Sequence, residues 1–109
     1  KNIKKILKKK KNLYLKYYRM FKYINSIRLF KEPKNSKSNY WLQTIILQKP
    51  DLKIRNFILQ KTNDIKISTR PVWQLLDEIK YLGKTPKMNL DVSKKLEKKI
   101  INLPSSPNL

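Results

Sequence analysis

The run of residues 38–47, with the sequence SNYWLQTIIL, is the most apolar stretch of the chain and constrains its fold more than any other feature. The run is rich in aromatic and β-branched residues and is closed by Pro50. This composition favours a strand over a helix. Both faces of such a strand are largely apolar, with Trp41, Ile45 and Leu47 on one face and Tyr40, Leu42 and Ile46 on the other. A strand of this kind is covered on both sides or lies in mid-sheet, so we expect residues 38–47 to form a buried central strand.

Two segments precede this strand. In residues 1–24, apolar side chains recur at spacings of three, four and seven positions, which predicts an amphipathic helix whose opposite face is mostly lysine. Residues 27–30 could form a short extended piece, and the polar residues 32–38 indicate a loop.

A helix and a strand are predicted next. Asp51 is placed to cap a helix that ends near Asn63. The inner stripe of this helix would be Ile54, Phe57, Ile58 and Lys61. The alternating pattern of residues 65–70 predicts a second strand, with Ile65, Ile67 and Thr69 on its buried face.

The last part of the chain predicts two helices and a strand. Pro71 can occupy the first turn of a helix that ends at Gly83. The apolar face of this helix would be Val72, Leu75, Leu76, Ile79 and Leu82. Ser93 is a good N-cap for a short helix that reaches Lys99, with Leu96 and Ile100 inward, and residues 100–103 form a last apolar run.

This order of elements predicts an α+β fold. We expect a small antiparallel or mixed sheet of about three strands, with helices packed on one face and a long amphipathic helix ahead of it. The 109 residues are the length of one domain. Because the chain begins with Lys1 rather than Met, we expect a fragment, a processed product or a cut piece of a longer protein.

The composition excludes several kinds of site. The chain has no Cys and no His, which excludes structural zinc, thiol catalysis and imidazole general bases and fits a reducing compartment. A single Gly excludes glycine-rich phosphate loops. The carboxylates are scattered and offer no acid–base pair, and the lysines lie in polar contexts that do not favour a Schiff-base amine. No apolar run reaches about 18 residues, so we expect no transmembrane helix.

The formal charge of +20 leaves three interpretations open. A chain this basic can bind nucleic acid, or it can lie on an anionic membrane through its first helix. The excess is lysine rather than arginine, with 23 Lys and four Arg, and nucleic-acid readers usually use arginine forks as well. A solvated lysine surface is therefore the simplest interpretation.

Three side chains are candidates for ligand binding. Trp41 and Trp73 are either core residues or ligand platforms, and the core is the commoner place for a large aromatic side chain. Arg70 ends the predicted second strand, where a guanidinium either forms a surface ion pair or binds a carboxylate or phosphate.

Three blocks together, residues 38–47, 67–76 and 101–106, resemble the C-terminal domain of the DegT/DnrJ/EryC1/StrS sugar aminotransferases. They are most similar to the branch that acts in legionaminic-acid-type amino-sugar synthesis. The resemblance implies the small domain of a pyridoxal-phosphate (PLP) type I fold, with residues 1–24 as the long linking helix and 25–109 as the domain. It further implies an enzyme that moves an amino group, usually from glutamate, onto a keto group of a nucleotide-linked sugar, with the cofactor carrying the chemistry.

The same resemblance places the Schiff-base Lys and most of the PLP site in a large N-terminal domain outside this chain, so we expect no activity and no catalytic residue in the chain alone. The implied substrate-binding residues are Asn39, Tyr40, Trp41, Arg70 and Trp73. It also implies a cytoplasmic homodimer at full length, with no membrane contact and no role for nucleic acid. Two alternatives stay open, namely a basic nucleic-acid-binding module and an inactive relic of a split aminotransferase gene.

Overall fold

The computed structural model describes residues 2–109 and has an α+β architecture. Its helices are α1 (Ile3–Phe21), α2 (Leu52–Asp64) and α3 (Asp91–Glu97), and its strands are β1 (Ile27–Leu29), β2 (Gln43–Leu47), β3 (Arg70–Pro71) and β4 (Ile100–Leu103). One short 3-10 helix covers Leu76–Glu78. The predicted fold class, first helix and last strand are confirmed, and the described residues form four strands rather than about three.

The sheet is antiparallel throughout, in the order β1-β2-β4-β3. The two central strands, β2 and β4, pair with Ile45 opposite Ile101 and Ile46 opposite Ile100. Because side chains alternate along each strand, the register places Ile45 and Ile101 on one face and Ile46 and Ile100 on the other.

Helices α1 and α2 cover the first of these two faces. The core consists of Ile45, Leu47 and Ile101, with Ile101 fully buried. Around it pack Phe21 of α1, Ile58 and Leu59 of α2, and neighbouring side chains of the sheet. Burying a side chain such as Ile101 contributes about 1.5–3 kcal/mol, so this small core carries much of the stability of the fold.

The opposite face of the sheet has no helix lying across it within residues 2–109. Arg28, Thr44, Ile46, Ile100 and Asn102 lie on this face by their register. Leu96 of α3 borders the face at one side. The sheet therefore has one covered face and one open face, which is the feature that positions the site described below.

The central strand is shorter than the sequence predicts. Residues 38–42 lie outside β2, and Tyr40 has a φ of 52°, in the left-handed region. Trp41 is 64% exposed and Leu42 is 45% exposed, whereas Ile45, Ile46 and Leu47 are buried as expected. The prediction was wrong here because the side-chain oxygens of Ser38 and Asn39 accept hydrogen bonds from the Tyr40 and Trp41 N–H groups and turn the backbone before the strand begins.

Helix α2 begins as predicted but buries a different stripe. The Asp51 carboxylate accepts hydrogen bonds from the backbone N–H groups of Lys53 and Ile54, which is the expected N-cap. Of the predicted inner stripe, Ile58 packs against the core as expected, whereas Ile54 and Phe57 are more than half exposed and Lys61 is also exposed, so that part of the prediction is wrong. Arg55 faces inward instead, because its guanidinium donates to the backbone oxygen and the carboxylate of Glu97 on α3.

The predicted strand at residues 65–70 is also wrong. Ile65 and Ile67 are exposed, and β3 begins only at Arg70. The intervening residues cap the end of α2, with the Ile67 N–H donating to the Thr62 oxygen at 2.9 Å. Thr69 is buried as predicted, because its hydroxyl bonds to that of Thr62.

The helix predicted after Pro71 does not form. Pro71 pairs with Ile101 in the sheet, so the chain leaves it in an extended conformation and makes only the short 3-10 helix before Gly83. The predicted short helix near Ser93 is present as α3, but it begins earlier, at Asp91. The Asn89 side chain accepts a hydrogen bond from the Asp91 N–H at 2.9 Å and fixes that start.

Among residues 2–109, no helix is both long enough and apolar enough to span a bilayer.

Candidate functional site

A groove of about 490 Å³, called here the sheet groove, runs along the open face of the sheet. Its lining is mainly aromatic and aliphatic, with a few polar side chains, and consists of Arg28, Phe30, Leu42, Thr44, Ile46, Val72, Trp73, Leu96, Ile100 and Asn102. Trp73 stands at its wall with 78% of its surface exposed. A ligand or a partner surface could therefore stack on the indole while resting on aliphatic side chains.

The polar side chains on the floor of the sheet groove bond to protein atoms. The Thr44 hydroxyl donates to the Asn102 side-chain oxygen at 2.9 Å, and the Asn102 amide donates to the Pro71 oxygen at 3.3 Å. These bonds fix the floor and join β2, β4 and β3 across the open face. Arg28 is the cationic residue of the lining and can pair with an anionic group at that edge.

A second cavity of about 240 Å³, called here the Tyr40 cavity, adjoins the groove. The two share Phe30, Leu42 and Thr44 as common lining. Tyr14 of α1 and Tyr40 contribute the aromatic surface of the Tyr40 cavity, with their ring centroids 5.1 Å apart. The remaining lining residues are Glu32, Pro33, Ser36, Lys37, Ser38 and Gln43.

The loop that carries Tyr40 is held by side chains from three parts of the chain. The Ser38 N–H donates to the Glu32 carboxylate, and the Tyr40 N–H donates to the Ser38 hydroxyl at 2.9 Å. The ammonium group of Lys10 donates to the backbone oxygens of Trp41 and Ser105, at 2.8 Å each. The loop is thus tied both to α1 and to the segment after β4.

Two tyrosines of the Tyr40 cavity have perturbed acidities. Burial is the largest cause that raises the pKa of Tyr40 above its ordinary value of 10.0, followed by the negative charge of Glu32 and a hydrogen bond to it. Burial likewise raises the pKa of Tyr14, with smaller effects from Tyr40, Tyr18 and Glu32. Both hydroxyl groups therefore stay protonated at neutral pH and can donate hydrogen bonds.

The five residues proposed from sequence do not form one constellation. Trp73 lines the sheet groove and Tyr40 lines the adjoining cavity, whereas Asn39, Trp41 and Arg70 line neither. The expectation that both tryptophans lie in the core is wrong, because both are mostly exposed.

Asn39 and Arg70 lie outside both cavity linings. The Asn39 side-chain oxygen accepts from the Trp41 N–H at 2.9 Å, which occupies one of its polar atoms. Arg70 is exposed on the edge strand β3, opposite Asn102, and forms no ion pair within residues 2–109.

Sequence reasoning missed several lining residues. Glu32 was assigned to a polar loop. It is, however, the one acidic residue among the first 40, and this isolated negative charge could have indicated a functional side chain. Arg28 and Asn102 were missed because each is a polar residue inside a short apolar strand, and the face that such residues occupy depends on pairing partners far along the chain.

The N-terminus of α2 offers no free site for the phosphate group of PLP. A phosphate group is commonly held by free N–H groups at a helix N-terminus, but in α2 the Asp51 carboxylate already occupies two of these groups. Residues 2–109 also contain no group of three or more side chains suited to hold a metal ion.

Several solved structures with the same fold are much longer than this chain. The superposition on PseC of Helicobacter pylori, an aminotransferase involved in the biosynthesis of pseudoaminic acid, has a TM-score of 0.82 at 19% identity and covers 94% of this chain and 28% of that one. The aminotransferase TlmJ of Streptoalloteichus hindustanus gives 0.81 at 14% identity, with 94% and 27% covered. The PLP form of the putative sugar aminotransferase Spr1654 of Streptococcus pneumoniae gives 0.74 at 17% identity, with 94% and 27% covered.

This chain therefore spans little more than a quarter of the length of the structures that it matches. No curated protein matches it in sequence. A family model does match, and it covers residues 1–109. The likeness in fold and the family match agree, and the chain belongs to the DegT/DnrJ/EryC1/StrS aminotransferase family.

Proposed function

We propose that this chain is the C-terminal small domain of a PLP-dependent sugar aminotransferase. Residues 1–24 would be the helix that links it to the large domain, and residues 25–109 would be the small domain itself. The observation that carries the proposal is the family match over residues 1–109. The reaction would transfer an amino group, with glutamate as donor, to a keto group on a nucleotide-linked sugar.

The role of this chain would be to wall the substrate site. When bound, PLP supplies the electron sink for amino transfer, and most of its site would lie in residues outside this chain. The sheet groove would supply an apolar wall, with Trp73 against the sugar or the base. A wall of this kind excludes water and limits the orientations in which a substrate can bind.

Arg70 is the residue that we propose for binding an anionic group. Its guanidinium is exposed and forms no ion pair within residues 2–109, so it can fork onto a phosphate or onto the donor carboxylate. Trp41, Asn39 and Tyr40 would contribute to the neighbouring part of the wall. The side-chain amide N–H of Asn39, whose oxygen accepts from the Trp41 N–H, would donate to sugar oxygens.

Steady-state kinetics on the full reading frame that contains this chain would test the proposal. The assay uses glutamate and a keto nucleotide-sugar as substrates. Arg70→Ala should raise one of the two KM values about tenfold, because a charge-assisted hydrogen bond contributes about 1.5–3 kcal/mol. Phe57→Ala, on the opposite side of the sheet, is the matched control and should leave both values unchanged.

Two outcomes would contradict the assignments separately. Absence of amino transfer with every keto nucleotide-sugar tried would overturn the proposed reaction. Unchanged kcat and KM in Arg70→Ala, with an active parent enzyme, would overturn only the role of Arg70.

The family branch, the oligomeric state, the compartment and the product are also parts of this proposal. The legionaminic-acid-type branch of the family is proposed on the three sequence blocks alone. A full-length homodimer in the cytoplasm is proposed as the arrangement implied by the same resemblance. The product would be an amino sugar destined for surface polysaccharide.

Nucleic-acid binding is a second candidate, supported by the net charge of +20. The structure weakens the case for nucleic-acid binding, because Lys9, Lys10 and Lys16 of α1 donate hydrogen bonds to protein oxygens within the chain. If this candidate is correct, affinity for duplex DNA should fall steeply as salt increases.

A further inference from the structure

One side of α1 carries a line of exposed cations, called here the basic row. An α-helix turns by about 100° per residue, so the members of the row lie within about 80° of one another and extend over about 27 Å. The basic row consists of Lys4, Lys8, Lys11, Arg19 and Lys22, the last of which is the C-cap of α1. Leu13, the buried residue of α1, lies on the opposite side of the helix, so the basic row faces away from the sheet.

Within residues 2–109 no carboxylate pairs with the basic row. Helix α1 contains no acidic residue, and Glu32 is the one carboxylate among the first 40 residues. The three ion pairs of the described residues all lie later in the chain. Three other lysines of α1, namely Lys9, Lys10 and Lys16, donate to protein oxygens. The basic row is therefore a concentrated positive charge that the protein itself does not neutralise.

Two apolar side chains accompany these cations. Leu15 lies between Lys11 and Arg19, one helical turn from each, and is 39% exposed. Tyr18 lies at the edge of the basic row and is half exposed, with its ring stacked on that of Tyr14 at a centroid distance of 6.5 Å. Leucine inserts at the boundary between lipid headgroups and acyl chains, and tyrosine is enriched at the headgroup level. An aliphatic side chain surrounded by cations therefore matches the surface of a bilayer.

The composition of this surface favours a bilayer over other anionic partners. Nucleic-acid readers use arginine forks and stacked rings, whereas the basic row has one Arg and an aliphatic Leu15 at its middle. Protein interfaces are depleted of lysine at their cores. An anionic leaflet attracts cations through its surface potential and requires no fixed donor geometry, so lysines on flexible stems suit it.

We propose that the basic row holds α1 flat against an anionic phospholipid bilayer, with Leu15 inserted among the headgroups. The contact is peripheral, because no helix of residues 2–109 can span a bilayer. The proposal does not rest on the aminotransferase assignment, and it departs from the absence of membrane contact that the family resemblance implies. Ile3, which is 64% exposed, lies on the same side of α1 as Phe21, so a larger domain could cover it and leave the basic row exposed.

Co-sedimentation of the 109-residue chain with lipid vesicles tests the proposal. The first probe is phosphatidylcholine vesicles with about 30% phosphatidylserine, and the second is pure phosphatidylcholine. In about 0.1 M NaCl the chain should bind the anionic vesicles at least about tenfold more tightly, since each lysine near an anionic leaflet contributes about fivefold. Binding should fall as NaCl increases to about 0.5 M, because the salt screens the attraction.

Two triple variants of equal charge locate the contact. The row variant removes three exposed cations from α1 by Lys4→Gln, Lys8→Gln and Lys11→Gln. The control variant removes three exposed lysines elsewhere by Lys53→Gln, Lys80→Gln and Lys84→Gln. The row variant should bind anionic vesicles about 100-fold more weakly than wild type, at about fivefold per lysine. The control variant should lose only about threefold, through the lower overall charge.

A second pair of variants tests the apolar anchor. Leu15→Ser should weaken vesicle binding about fivefold, because a polar side chain gains nothing from insertion among the headgroups. Leu52→Ser on α2 is the matched control, since Leu52 is 42% exposed, and it should bind as wild type does.

Any of three results would overturn the proposal. The first is equal binding to vesicles with and without phosphatidylserine. The second is an equal loss of affinity in the two triple variants, both shown to be folded by circular dichroism, which would make net charge the whole cause. The third is a row variant that loses affinity for a short DNA duplex but keeps wild-type affinity for vesicles, which would assign the basic row to nucleic acid. If the row variant does not fold, equal vesicle affinity of Leu15→Ser and Leu52→Ser overturns the proposal instead.

Discussion

At the scale of single residues, three partly buried tyrosines make the stability of the fold decrease at alkaline pH. The pKa values of Tyr14, Tyr17 and Tyr40 are all raised, with burial as the first cause in each case. A raised pKa in the folded state means that folding favours the protonated hydroxyl. This contribution is fully present below the ordinary pKa of 10.0 and is lost as pH rises through the folded value.

Tyr14→Phe isolates this effect from the titration of the many lysines, which both proteins share. We expect the difference in unfolding free energy between wild type and Tyr14→Phe to stay constant up to about pH 9 and to change above pH 10, with wild type losing more stability. Urea unfolding at a series of pH values measures it. A difference that is constant to about pH 12 would contradict the assignment.

Single residues also show which features of the candidate site could not be predicted from the sequence. The sequence alone could single out Tyr40, Trp41 and Trp73 as large aromatic side chains. It could not predict the directions in which these side chains point, because those directions depend on backbone angles. The left-handed φ of 52° at Tyr40 is held by backbone N–H groups that donate to the Ser38 and Asn39 side chains, together with the bond that Lys10 donates to the Trp41 oxygen. The contribution of Lys10, 31 residues away from Trp41, has no local signal in the sequence.

At the scale of elements, helix α2 offers a test with an internal control. The Asp51 carboxylate accepts from two N–H groups at its start, whereas Asp64 is the last residue of the same helix. Asp51→Ala should lower the free energy of unfolding by about 1 kcal/mol through loss of the cap. Asp64→Ala should leave it unchanged or raise it slightly, because a negative charge is unfavourable at a helix C-terminus.

Thermal or urea unfolding of the two variants measures the difference. Equal destabilisation by both substitutions would show that the effect comes from charge alone and not from the cap. Since the chain is strongly basic, removal of either carboxylate also increases the overall repulsion by the same amount, and the comparison cancels this contribution.

The elements that could be predicted are those with local signals. The start of α2 was predicted from Asp51, and β4 from a continuous apolar run. The segment from Ile65 to Gly83 was not, because its apolar residues fit both a strand and a helix by periodicity. Pairing of Pro71 with Ile101, 30 positions later, decides its conformation, and such pairing is invisible in a local window.

At the scale of the whole molecule, charge repulsion and exposed apolar surface have opposite effects on self-association. The net charge of +20 keeps copies apart, while the sheet groove exposes Trp73, Phe30 and Leu42. The Debye length falls from about 10 Å at 0.1 M salt to about 3 Å at 1 M, so high salt removes most of the repulsion and strengthens apolar contact.

We therefore expect this chain to self-associate as salt increases. Light scattering should report a rising mass between about 0.1 and 1 M sodium sulfate. Trp73→Ser should reduce the rise, and Phe57→Ser on α2 should reduce it less. A monomer at every salt concentration would contradict the prediction, and equal effects of the two substitutions would place the contact elsewhere.

The order β1-β2-β4-β3 has a consequence for synthesis on the ribosome. The central strand β4 is the last of the four strands in chain order, so β2 has no partner on that side until residues 100–103 emerge. Until then the nascent chain presents an unpaired apolar edge, which is the kind of surface that chaperones and aggregating chains bind. A stop codon before residue 100 would remove the strand that joins the two halves of the sheet, whereas a short in-frame deletion within residues 84–88 would alter only a loop.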